Sequence, residues 1–169
     1  MVYYKCMKKL EKALFAAGCF WGVQYYFDQV PGVVKTTVGY TGGHTENPTY
    51  DDVCTGATGH AEAVLIEFDP DKVNYETLLK HFFRMHDPTQ LNRQGPDVGD
   101  QYRSAIFYFD QEQRRDAIQI RNKVQKEKDK PVVTQIEPAG KFYEAEPYHQ
   151  KFTERTGIGM CHVPYVPVK

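Results

Sequence analysis

The chain has 169 residues, 41% of them hydrophobic and 25% charged, with a formal net charge of -1. A chain of this size buries roughly two-thirds of its unfolded surface, and one domain over residues 1–169 is expected. The near-zero charge argues against general attraction to nucleic acid or an acidic membrane surface, and no apolar run approaches the roughly 20 residues of a membrane span.

Lys5, Lys8 and Lys9 precede a short apolar stretch, but Glu11 and Lys12 interrupt it, so it does not read as a signal peptide and a cytoplasmic location is expected. Residues 13–17 form an apolar run closed by Gly18, and residues 20–28 carry aromatics at helical spacing. Strand, turn and helix are predicted in succession. After Pro31-Gly32 a β-branched strand covers 33–38. A glycine-rich loop follows from 39 to about 60 with Tyr40, His44, Tyr50 and Cys54, and loops of that length in a compact domain are often functional. Residues 62–68 alternate as a strand, with Val64, Ile66 and Phe68 on one face. Asn74 caps a predicted helix whose stripe is Tyr75, Leu78, Leu79, Phe82 and Phe83. A second loop spans 86–102, and 104–109 is a further strand. Asp110 and Gln113 read as a capping box opening a charged helix to about 127, with Ala117, Ile120 and Val124 as its apolar stripe. Residues 132–137 are the last predicted strand, and the tail from 157 is predicted irregular. The order strand-helix-strand-strand-helix-strand predicts an α+β fold, a two-layer sandwich with a ferredoxin-like split β-α-β core, to which a helix and a strand are added.

The chemistry begins at Gly18-Cys19-Phe20-Trp21-Gly22, where a thiol stands beside two large aromatics at a helix entrance. Free N–H groups and the helix dipole there favour thiolate, which makes Cys19 a candidate nucleophile with an apolar pocket beside it. Glu62 shares strand parity with Val64, Ile66 and Phe68, so its carboxyl faces the apolar side, where desolvation keeps it protonated. The four cysteines Cys6, Cys19, Cys54 and Cys161 are far apart without a C-x-x-C pair, which argues against a disulfide framework and a structural zinc site. No glycine-rich segment has the context of a phosphate or dinucleotide loop, so neither organic cofactor nor metal is predicted.

Gly18-Cys19-Phe20-Trp21-Gly22 resembles the signature of the A-type peptide methionine sulfoxide reductases. Gly39-Tyr40-Thr41-Gly42-Gly43, Asn47-Pro48-Thr49-Tyr50, Thr58-Gly59-His60-Ala61-Glu62, His86-Asp87-Pro88-Thr89 and Asp97-Val98-Gly99-Asp100-Gln101-Tyr102-Arg103-Ser104 are similar to that family's blocks in order and spacing, with an echo at Tyr148-His149-Gln150. The resemblance implies thiol-dependent reduction of methionine-S-sulfoxide, free or in proteins. It implies Cys19 as nucleophile, Glu62 as proton donor, and Tyr50, Asp97 and Tyr102 as partners of the sulfoxide oxygen and an ordered water. Phe20 and Trp21 would enclose the substrate methyl. The sulfenic acid left on Cys19 must then be reduced. Gly157-Ile158-Gly159-Met160-Cys161 resembles part of the family's cysteine-bearing tail, which implies Cys161 as the resolving thiol and a disulfide reduced by thioredoxin or another thiol reductant. Cys54 and an external thiol remain alternatives.

His60 and His149 read as satisfied structural histidines, and a monomer is expected. Two other readings compete: a thiol peroxidase using Cys19, and a binding module that captures methionine or its oxidised form without changing it.

Overall fold

A computed structural model describes residues 9–160, 162 and 164–168. In chain order they form β1 (Glu11–Ala17), α1 (Phe20–Phe27), β2 (Val33–Thr41), α2 (Tyr50–Cys54), β3 (Ala61–Phe68), α3 (Tyr75–Met85), β4 (Arg93–Gln94), β5 (Asp97–Val98), β6 (Ser104–Tyr108), α4 (Gln111–Lys126), β7 (Gln135–Pro138), β8 (Tyr143–Glu144) and α5 (Phe152–Thr156). One six-stranded sheet runs β7-β6-β1-β3-β2-β8, and β4-β5 is a separate two-stranded ribbon. The inner order β6-β1-β3-β2, with antiparallel neighbours throughout, is the split β-α-β arrangement. The strand β7 is added parallel to β6 after the α4 crossover, and β8 closes the far edge against β2. The mixed α+β architecture agrees with the expectation from element order.

Period-2 patterning places the core. Val64, Ile66 and Phe68 are fully buried, while Leu65 and Glu67 between them are half-buried. Phe15 from β1 meets Phe27 of α1 and Phe82 of α3 at ring-centroid distances of 5.7 and 5.0 Å, so one cluster fills the space between sheet and helices. Burying each such Phe or Leu is worth about 2–3 kcal/mol. Asn74 and Asp110 cap α3 and α4 by accepting the N–H groups of Thr77 and Gln113 at 2.8 Å. The capping box at Asp110 is a variant: the Gln113 amide oxygen accepts from Phe109 N–H at 3.0 Å, one residue before the cap.

The first long loop is not irregular throughout. It contains α2, opened by a full capping box between Thr49 and Asp52. His60 folds the rest of that loop: its Nδ1 accepts from Gly43 N–H at 3.0 Å and its Nε2–H donates to the Thr45 carbonyl at 2.7 Å.

Between β8 and α5 the chain is tied to β2 by the side chains of Glu146, Gln150 and Lys151. The Gln150 amide behaves as an extra strand residue beside β2: its oxygen accepts from Val38 N–H at 3.0 Å and its nitrogen donates to the Val38 carbonyl at 3.0 Å. Lys151 follows with φ 58, its N–H donating to Gln24 Oε1 at 2.8 Å and its ammonium pairing with Asp28 at 2.6 Å. Among the described residues, no helix is long and apolar enough to cross a membrane.

Candidate active site

Cys19 is the residue before α1, just past the end of β1. Gly18 between them takes φ 95, a conformation that side-chain-bearing residues rarely adopt, and this turns strand into helix within two residues. The antiparallel register pairs Phe15 with Val64, so the end of β1 lies beside the start of β3, where Glu62 stands. Glu62 is 2% exposed. Its Oε1 accepts from the Phe20 N–H at 3.2 Å, while its buried Oε2 has no partner among the described residues. Burial pushes this carboxyl up to about 8, with the Phe20 N–H opposing and the Asp97 carboxylate adding. Glu62 therefore holds a proton at neutral pH, on a site where Oε2 is free to donate it.

The half-buried Cys19 behaves differently from the sequence expectation. Burial, then the Glu62 carboxylate, push its thiol up to about 12; the Trp21 and Gly22 N–H groups act in the opposite direction, and Asp97 adds a smaller increase. Desolvation outweighs the helix entrance, so the ligand-free site holds a thiol.

Phe20 and Trp21 diverge. Phe20 is fully buried, between Tyr40 and His149 at 5.7 and 5.2 Å. Trp21 is half-buried, stacked on Phe152 at 4.0 Å, and its indole N–H donates to His149 Nδ1 at 2.9 Å. The Tyr50 ring lies 4.5 Å from the His149 ring. Beyond burial, the exposed Cys54 thiol is close enough to raise the Tyr50 phenol. Burial raises the phenols of Tyr50 and Tyr102 well above the usual range; Glu62 adds to both, and Asp97, Cys54 and Cys19 add to Tyr102. These influences bring Tyr50, Tyr102, Asp97 and Glu62 into one neighbourhood around Cys19. Cys161 and Cys6 lie outside the described residues. Among the described residues, no group of three or more His, Cys, Asp or Glu side chains could hold a metal ion.

Residues 11–169 match the family model described as peptide methionine sulfoxide reductase. The chain belongs to that family. It is 58% identical over 161 residues to the peptide methionine sulfoxide reductase MsrA of Methanothermobacter thermautotrophicus, covering 94% of this chain and 95% of the relative. The MsrA of Methanosarcina acetivorans is 56% identical over 151 residues, covering 88% and 80%. Among solved structures, reduced Mxr1 of Saccharomyces cerevisiae superposes with a TM-score of 0.87 at 32% identity, covering 95% of this chain and 93% of that one. Methionine sulfoxide reductase A of Corynebacterium diphtheriae gives 0.78 at 37% identity, covering 94% and 78%. The protein is thus a peptide methionine sulfoxide reductase, reducing methionine sulfoxide with thiols.

In this reductase the sequence reading undervalues His149. Its imidazole fixes the tryptophan, because Nδ1 accepts from the indole and its proton must therefore sit on Nε2, 3.9 Å from the Glu146 carboxylate. Glu146 also accepts from the Tyr40 hydroxyl at 3.1 Å and from Tyr50 N–H at 3.2 Å. The Gln150 clamp on β2 holds this histidine in place from the next residue. The block Tyr148-His149-Gln150 carried the signal; what it could not carry was the partner, which is 128 residues away.

Proposed function

We propose that Cys19 attacks the sulfur of methionine-S-sulfoxide while Glu62 protonates the departing oxygen. The observation that carries this reading is the buried Glu62 carboxyl held on the Phe20 N–H, directly after Cys19, with its second oxygen unpartnered. Oxide is too poor a leaving group without a proton, and a neutral carboxylic acid in a dry site supplies one. Trp21 offers the apolar wall for the substrate methyl, Phe20 backs it from the core, and Tyr50, Tyr102 and Asp97 surround the oxygen.

The ligand-free thiol supports ionisation on binding. Once the Glu62 proton is hydrogen-bonded to the sulfoxide oxygen, the sulfur is polarised, and its positive character favours an approaching thiolate. Oxygen passes from substrate sulfur to Cys19 carrying the Glu62 proton as the hydroxyl of the sulfenic acid, methionine leaves, and the Cys19 proton re-protonates Glu62. A thiol then displaces water to form a disulfide. Cys161 is our assigned resolving thiol, and thioredoxin the reductant of that disulfide; Mxr1 has been solved in complex with Trx2. Cys54 is the second candidate, favoured by its exposed thiol. We read residues 1–169 as one catalytic unit, acting as a cytoplasmic monomer.

The test is single turnover. Fully reduced protein is mixed, without reductant, with separated S and R epimers of methionine sulfoxide. One methionine per protein from the S epimer alone, with two thiols lost, is the expected result. No methionine from either epimer would remove Cys19 and Glu62 from these roles.

A further inference from the structure

Gly22 stands one helical turn after Cys19, on the adjacent face of α1, and the space its side chain would fill is occupied. A Cβ there would meet the His162 imidazole at Nδ1 and lie 2.6 Å from the Gly159 carbonyl oxygen. On the other side of Cys19, a Cβ on Gly18 would lie 3.2 Å from His162 Nε2. The His162 ring therefore spans a notch whose two walls are the glycines flanking the nucleophile. Its Nε2 is 2.7 Å from the Ala17 carbonyl, which can only accept, so the proton is on Nε2 and Nδ1 carries a lone pair. That Nδ1 is buried with no partner among the described residues. The segment is held on both sides. The Thr153 hydroxyl donates to the Ile158 carbonyl at 2.6 Å, and Arg84 donates to the Val166 carbonyl at 2.6 Å. Tyr165 stacks on His81 at 5.6 Å.

We propose that His162 is a positioning residue for the recycling half of the reaction: docked between Gly18 and Gly22, it sets the register in which the C-terminal tail meets oxidised Cys19. This rests on the reading that Cys161, its chain neighbour, is the resolving thiol. The step it serves is balanced within the chain. The Cys19 sulfenic acid and a second thiol give a disulfide and one water, with the thiol proton leaving on the displaced hydroxyl. His162 takes no part in sulfoxide reduction itself, so removing it separates the two halves.

The experiment uses the full, reduced chain in single turnover, following methionine release and thiol loss for wild type, His162→Ala, His162→Gln and Cys161→Ser. In His162→Ala, one methionine appears at the wild-type rate, which also shows that the variant is folded, but the second thiol disappears about tenfold more slowly, and a sulfenic-acid trap captures Cys19. His162→Gln restores the rate to within about twofold, because its amide N–H can reach the Ala17 carbonyl. Wild-type loss of the second thiol in His162→Ala overturns the proposal, as does a parallel fall in methionine release or a failure of glutamine to rescue. Cys161→Ser tests the underlying reading separately. Loss of one thiol there upholds it, and with that result wild-type behaviour of His162→Ala overturns the docking alone. Loss of two thiols in Cys161→Ser overturns the resolving assignment and the proposal with it.

Discussion

The carboxyl of Glu62 is tied to the amide of Phe20 at 3.2 Å, the first residue of the helix that follows Cys19. Acid and nucleophile are thereby held to the same turn of chain. Glu62→Gln keeps the shape and loses the proton, so methionine release should fall about 100-fold at neutral pH. Wild-type activity should decline as pH rises through about 8, where the free enzyme loses its acid. A flat profile between pH 6 and 9 in kcat/KM would rule Glu62 out as the donor.

The same carboxyl makes stability depend on pH. Folded Glu62 keeps its proton to about 8, whereas an unfolded glutamate releases it near 4.5. Between those values the folded state binds more protons than the unfolded state, so stability falls as pH rises, by roughly 1 kcal/mol per unit from this group. Glu62→Gln should therefore be more stable than wild type at pH 7.5 and close to it at pH 4. Denaturant titrations at the two pH values check the crossover.

Cys19→Ser should leave the midpoint of urea unfolding nearly unchanged, since the site is half-buried and the side chain small, while lowering methionine release by at least about 1,000-fold. Measurable turnover in this variant would require a different nucleophile.

Trp21 can be dissected by size. Trp21→Phe keeps an aromatic wall against Phe152 but loses the bond to His149, and should cost about fivefold in kcat/KM. Trp21→Ala removes the wall and should cost about 100-fold, mostly through KM. Equal effects of the two variants would mean that the hydrogen bond, not the wall, is what matters.

Gly43→Ala should destabilise the protein by about 3 kcal/mol or more, because the added methyl would overlap the Thr58 carbonyl and the His60 amide, both backbone groups that cannot rotate away. Thermal unfolding of the variant measures this directly.

What was readable along the chain was what neighbouring residues decide. The parity of Val64, Ile66 and Phe68 and the caps at Asn74 and Asp110 are local, and the structure has them where the sequence predicts. The helix α2 leaves little trace in the sequence although Thr49 and Asp52 form its capping box, since five residues in a glycine- and threonine-rich stretch present no apolar period. Pairings across the chain were not legible. Gln150 joins β2 through residues 112 positions away, and Trp21 finds His149 at a separation of 128. The protonation of Cys19 departs from the sequence expectation for the same reason. A helix entrance can be inferred from sequence, but the desolvation that outweighs it belongs to the assembled site.

The inner strands β1 and β3 are paired on both sides, and Cys19 and Glu62 sit at their adjoining ends. His149, which steadies the substrate wall, belongs instead to a C-terminal segment clipped to β2 beside the two-residue edge strand β8. Segments hung on an edge open before a central ladder does. As the protein is warmed, then, its grip on substrate loosens while the chemistry of the bound complex is still intact: KM climbs first and kcat gives way only when the sheet itself comes apart.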